Sequence, residues 1–373
     1  MTQSTRVLDL FIELASINSY VGQEGKLGEY LISLLKDLGA TVTVDDSAEK
    51  TGSDIGNIIA TFPGDADDAP TILLCSHMDS IGPTEDMVPI QRDGIIYSNG
   101  KTVLAADDKA GIAVILVALE ELKASNSKHG DVEIVFTVQE EPGLIGAKNL
   151  NADLKSDFGY ILDGDGAVGT IIHRAPAKVD LDLTLAGQAA HAGICPEEGV
   201  NAIVTAATAI SRIQSGRIDK ETTSNFGTIQ GGQTRNIVPD HVEISAEVRS
   251  LDDEKLNREV DTILEVFSNT ANEFNAQFTV EKNVSFPSFN IPTSHPAIAI
   301  AKRAAETIGI ETILWASGGG LDANIFNSRG LPCVALGLGI ENPHSPQEYI
   351  PAAQLDEAVR LLLAILKEAA GNS

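Results

Sequence analysis

His77 and Asp79, Asp107 and Asp108, Glu140 and Glu141, Asp163, and His344 are side chains that can bind cations or move protons, and most stand beside an apolar run. Carboxylates massed together in a folded protein repel one another and lose hydration, at a cost of several kcal/mol, and divalent cations remove that difficulty. Imidazole and carboxylate without thiolate suit zinc, cobalt or manganese better than calcium or magnesium. Two such ions about 3.5–4 Å apart need a bridging carboxylate and turn a bound water into a nucleophile near neutral pH. A further carboxylate off the metals can take the proton of that water. Glu140 and Glu141 are adjacent and so project in different directions, which lets one ligate while the other acts as base.

The elements that must position these groups follow from hydrophobic periodicity. Apolar runs at 71–75, 132–138, 160–162 and 333–336, interleaved with helices such as 109–122, predict a mostly parallel sheet buried on both faces. His77 and Asp79 follow the first run, Glu140 and Glu141 the second and Asp163 the third, while a loop after the fourth leads to His344. Asp107 and Asp108 open the helix. In open α/β sheets ligands bind outside the strand carboxyl ends, so one rim receives all of these groups. From Lys178 onward the pattern changes: Val179, Leu181, Leu183 and Leu185 alternate with polar residues, as do Val242, Ile244, Ala246 and Val248. Alternation predicts an antiparallel sheet with one covered face. The expected organisation is an α/β domain made of residues 1–174 and 286–373, interrupted by an α+β insert at 175–285.

Composition bounds the partners. The 373 residues include 53 acidic and 26 basic side chains, a formal charge of −27, which repels nucleic acid and anionic membrane surfaces. Hydrophobic residues at 43% suit a globular protein with a substantial core. Three cysteines without a C-x-x-C pair fit a reducing compartment. The first residues carry acids among Val7, Leu8, Phe11, Leu14 and Ala15 at helical spacing, which reads as an amphipathic helix and not a signal peptide. The expected location is the cytoplasm.

The segments Ser76-His77-Met78-Asp79, Ala106-Asp107-Asp108-Lys109-Ala110-Gly111 and Gln139-Glu140-Glu141-Pro142-Gly143, with the late His344, resemble the metal motifs of peptidase T. The resemblance covers essentially the whole chain and extends to the zinc metallopeptidase family that also contains carboxypeptidase G and aminoacylase. It implies that His77 and Asp163 bind one metal ion, Glu141 and His344 the other, and that Asp107 bridges both. It further implies that Asp79 orients His77, that Glu140 is the general base, and that the Asp107–Asp108 peptide is cis. The insert resembles the lid or dimerisation domain of that family. There His191 would reach the substrate carbonyl, Asn236 would bind substrate, and Arg249 would meet a substrate carboxylate. One departure concerns the glycine loop Ser317-Gly318-Gly319-Gly320, where serine stands at the position of an expected arginine. A hydroxyl cannot replace a bidentate arginine clamp at equal strength.

Other signals fail on their context. Gly164-Asp165-Gly166-Ala167-Val168-Gly169 fits a dinucleotide fingerprint, but a strand pattern follows it where a helix is required. A calcium loop at Asp163 lacks glycine at its sixth position, and no G-x-S-x-G elbow is present. The expectation is therefore metal-dependent hydrolysis of amide bonds in short peptides by a peptidase T-like, tripeptidase-like aminopeptidase. An N-acyl amino acid hydrolase or carboxypeptidase with the same centre is the nearest alternative, and a catalytically inactive binding relative is an alternative of another class. The apolar strand face of the insert is compatible with a homodimer, as it is with a lid packed within one chain.

Overall fold

The computed structural model describes residues 3–66 and 68–371. It divides into two compact units, one made of residues 1–175 and 290–373 and the other of residues 176–289.

In chain order the strands of the first segment are β1 (Thr41–Val44), β2 (Ile58–Phe62), β3 (Ile72–His77), β4 (Ile90–Arg92), β5 (Ile95–Tyr97), β6 (Val132–Thr137), β7 (Phe158–Gly164) and β8 (Thr170–Ala175). The inserted unit contributes β9 (Ala177–Ala186), β10 (Gly216–Arg217), β11 (Thr222–Gly231), β12 (His241–Ser250) and β13 (Gln277–Phe286). There follow β14 (Phe289–Asn290), β15 (Ile313–Ala316), β16 (Cys333–Gly337) and β17 (Tyr349–Pro351).

The large sheet runs β1-β2-β6-β3-β7-β16-β8-β14, with β15 added on β8. Its centre is parallel: β3 pairs with β6 and β7, and β16 with β7, all in the same direction. Every residue of β3, β6 and β16 is buried, as continuous apolar strands covered on both faces require. The helix Ala106–Ser125 is buried nearly all round, packed by the helices Gln3–Ala15 and Ala352–Ala369. On the first of these, Val7, Leu10, Phe11, Leu14 and Ala15 form the buried stripe. Three short strands, β17-β5-β4, form a separate small sheet that periodicity did not reveal; runs of three residues are too short to show a period.

The inserted unit is an antiparallel sheet of order β10-β11-β12-β9-β13. Val179, Leu181, Leu183 and Leu185 of β9 and Val242, Ile244, Ala246 and Val248 of β12 point to one face. That face is covered within the unit by the helices Ala202–Ser211 and Asp253–Glu273, through Ala206, Leu256, Val260, Ile263 and Phe267.

Candidate metal centre

The convergence of the chemical groups follows from strand direction. Because β6, β3, β7 and β16 are neighbours and parallel, their carboxyl ends share one edge, and the residues just past them meet there. His77 closes β3, Asp163 lies near the end of β7, Glu140 and Glu141 follow β6, and His344 lies in the loop between β16 and β17. Asp107 arrives from the start of the Ala106–Ser125 helix, where Asp107 and Asp108 depart from helical dihedrals and their peptide bond is cis.

Asp107 sits between the two imidazoles. Its Oδ1 is 3.1 Å from Nε2 of His77 and its Oδ2 is 3.0 Å from Nε2 of His344. Nε2 of His344 is also 3.0 Å from Oε2 of Glu141. One carboxylate thus spans both histidines. The ligand-capable atoms of His77, Asp107 and Glu141 lie within 4.8 Å of one another, and so do those of His77, Asp108 and Asp163. Asp108 is engaged elsewhere: its carboxylate accepts from Ser76 Oγ and from the Gly111 amide.

Asp79 is fully buried and stands beside both His77 and the turn that carries the two glutamates. Its Oδ1 accepts the Glu140 amide at 2.9 Å and its Oδ2 accepts the Glu141 amide at 3.1 Å. The nearest partner of His77 Nδ1 is the main-chain oxygen of Asp79 at 3.0 Å, while the carboxylate is 3.4 Å away. Both the carbonyl and the carboxylate of Asp79 thus face the ring, and the carboxylate also fixes the turn that carries both glutamates. That turn begins at Gln139 in the left-handed region, φ 48°, and Ala105 at 58° and His344 at 60° share this conformation. Non-glycine residues pay about 1–2 kcal/mol there. Such strain at three points of one rim is typical of a functional site.

The electrostatics are those of a cation site. Burial pushes the Glu140 and Asp163 carboxyls well above their usual range, and neighbouring carboxylates add to the effect. Glu141 is raised by burial, partly offset by His344, and its Oε1 is buried without a hydrogen-bond partner. Burial opposes the charge of Asp107, but its bonds to His344 and His77 outweigh this and hold it below the usual range. His344 is pushed up to about 10 by its bonds to Asp107 and Glu141. An orphaned buried oxygen, crowded carboxylates and two imidazoles suit divalent ions of the zinc, cobalt or manganese type. His77, Asp107, Glu141, Asp163 and His344 are the residues that could hold them.

Several supporting residues lie outside the sequence reading. Glu348, buried, accepts the amides of Leu104, Ala105 and Asp107. Buried Asp322 accepts from Thr137 Oγ1 at 2.6 Å. Lys109, buried, donates to the carbonyl of Ile17 at 2.6 Å, and burial lowers its pKa to about 7. The signal available for Glu348 was its position four residues after His344 and directly before an apolar strand. Ser317 is buried too; its hydroxyl donates to Asp165 at 3.1 Å and accepts the Gly319 amide at 3.0 Å, pinning the glycine loop.

The three remaining expected residues lie in the inserted unit. His191 and Asn236 are brought together by the pairing of their loops, with the Ala192 amide on the Asn236 carbonyl at 2.9 Å. Arg249 lies on β12, with Nε and Nη2 on the two carboxylate oxygens of Glu247 at 3.0 and 3.1 Å.

The chain is 42% identical to the crystal structure of aminopeptidase PepT from Bacillus cereus ATCC 10987, with a TM-score of 0.93, covering 98% of this chain and 99% of the other. It is 38% identical to a tripeptidase from Staphylococcus aureus subsp. aureus mu50, with a TM-score of 0.96 and 99% of both chains covered. It is 40% identical to the uncharacterized protein YqjE of Bacillus subtilis (strain 168), over 99% of this chain and 100% of that protein. Residues 73–368 match the family model of peptidase family M20/M25/M40, and the chain belongs to that family.

Proposed function

We propose that this protein is a peptidase T-like aminopeptidase that hydrolyses amide bonds in short peptides. The observation that carries the reading is the Asp107 carboxylate held between His77 and His344, with Glu141 on the same His344 and Asp163 within reach of His77. Full-length similarity to an aminopeptidase and a tripeptidase supports the substrate class.

His77 and Asp163 would hold one divalent ion, Glu141 and His344 a second, and Asp107 both; the donor set favours zinc. When bound, the ions supply Lewis acidity at the scissile carbonyl and ease ionisation of a water. Glu140 takes the proton of the attacking water on its carboxylate and returns it to the leaving amine. Asp79 keeps Glu140 in place through the Glu140 amide. His191, Asn236 and Arg249 are assigned to substrate binding, and the inserted unit to a lid or dimerisation role.

A homodimer through that unit is supported by its edge. β10 pairs only with Ser224 and Thr223 of β11. Beyond them β11 carries Ile229, 53% exposed, and the nearby sequence of the Ala202–Ser211 helix leaves Ile203 and Val204 exposed. A cytoplasmic location is supported by three free cysteines, and no described helix is long and apolar enough to cross a membrane.

Hydrolysis of free and N-acylated di- and tripeptides by the zinc-loaded protein tests the reading. Release of the N-terminal residue from free peptides is expected; turnover of N-acylated substrates alone would replace it with an N-acyl amino acid hydrolase.

A further inference from the structure

Asp107 must present its carboxylate to two imidazoles, yet the backbone that carries it, at the start of the Ala106–Ser125 helix, departs from helical dihedrals. Ala105 is left-handed and Asp107 has φ −81° and ψ 104°. Such a segment has no regular ladder to absorb its amides, and buried amides require acceptors. Glu348 supplies them. Its Oε2 accepts the amides of Leu104 at 2.8 Å and Ala105 at 2.9 Å, and its Oε1 accepts that of Asp107 at 3.0 Å. The side chain is 1% exposed and comes from a position 241 residues distant.

The same residue belongs to the His344 segment. The Glu348 amide donates to the Ser345 carbonyl at 3.0 Å, and Glu341 and Tyr349 exchange main-chain bonds across the base of that loop. The loop is therefore closed immediately beside Glu348, with left-handed His344 at its tip. A single carboxylate ties together the two segments that deliver Asp107 and His344.

We propose that Glu348 is a positioning residue that pre-sets Asp107 and His344 for the ion they share with Glu141. The inference rests on the two-ion reading above. A carboxylate is needed because three N–H groups face its two oxygens. Glutamine, of the same shape, offers one oxygen and turns an amino group toward at least one of those donors. Groups that hold metal ligands in place typically contribute 10–100-fold to metal affinity.

The test is a zinc titration of the metal-free full-length protein and of its Glu348→Gln and Glu348→Ala variants, with folding followed by near-ultraviolet circular dichroism. The expected result is two zinc ions bound by the parent, and in folded Glu348→Gln an affinity for one of the two reduced about 10- to 100-fold. Half-maximal activation of peptide hydrolysis should need correspondingly more zinc, with KM unchanged. Unaltered zinc affinity in a folded variant overturns the inference while leaving the two-ion reading intact. A parent that binds no zinc overturns both. Should both variants fail to fold, hydrogen exchange in the metal-free parent decides: slow exchange at Leu104, Ala105 and Asp107 supports pre-setting, and fast exchange there refutes it.

Discussion

Replacing Asp79 by asparagine separates two jobs that one residue performs with different atoms. The carboxylate holds the amides of Glu140 at 2.9 Å and Glu141 at 3.1 Å, whereas the main-chain oxygen holds Nδ1 of His77 at 3.0 Å. Asparagine keeps the volume and the carbonyl but has only one acceptor oxygen, so its amino group must face one of the two amides. The lost charge-assisted bond is worth about 1.5–3 kcal/mol, and a buried donor left without an acceptor costs about 1–3 kcal/mol. These overlap in part, so the expected loss of stability is about 2–4 kcal/mol. Urea unfolding of the metal-free protein would read it as a lower midpoint at unchanged slope. In zinc-loaded protein the His77 ring should keep its Nδ1–H tautomer, visible by nitrogen-15 NMR, because the carbonyl partner is untouched. A stability loss below about 0.5 kcal/mol, the range of inconsequential surface changes, would refute the assigned role of the carboxylate. A switched His77 tautomer would show that the carboxylate, not the carbonyl, sets the ring.

Glu140→Gln should retain two zinc ions by elemental analysis while kcat falls about 10²–10⁴-fold, the usual general-base contribution; undiminished turnover would remove Glu140 from that role. Its bonds to Asp107 and Glu141 push His344 up to about 10 from an ordinary 6.5, so zinc is expected to displace its proton, and apparent zinc affinity should rise with pH up to about 10, measurable by calorimetry in buffers of different ionisation enthalpy. The sign for stability is opposite: charged His344 stabilises the metal-free fold fully below about 6.5, and this contribution disappears as pH climbs from there to about 10, which thermal unfolding across that window would reveal. Ile229→Lys, placing a charge on the open edge of β11, should convert a dimer to a monomer in sedimentation velocity without changing the monomer's far-ultraviolet spectrum; an unchanged mass would exclude this edge as the interface.

Much of the molecule was legible along the chain because it depends on local regularities. Continuous apolar runs identified β3, β6, β7 and β16, and alternation identified β9 and β12, since side-chain direction in a strand reports which faces are covered. Placing His77, Glu140, Glu141 and Asp163 at strand ends likewise needed only the ends of those runs. Only the tertiary structure decided which of these groups meet. The sheet order β6-β3-β7-β16 brings distant segments side by side, and no local period encodes that order. Thus Asp107 lies between two imidazoles whereas its neighbour Asp108 turns to Ser76 and Gly111. Asp79 bonds two amides some 60 residues away, and Glu348 holds the Asp107 segment from 241 residues away. A buried carboxylate takes whatever donors the fold places around it, so its role is a property of the folded surroundings and not of its place in the chain.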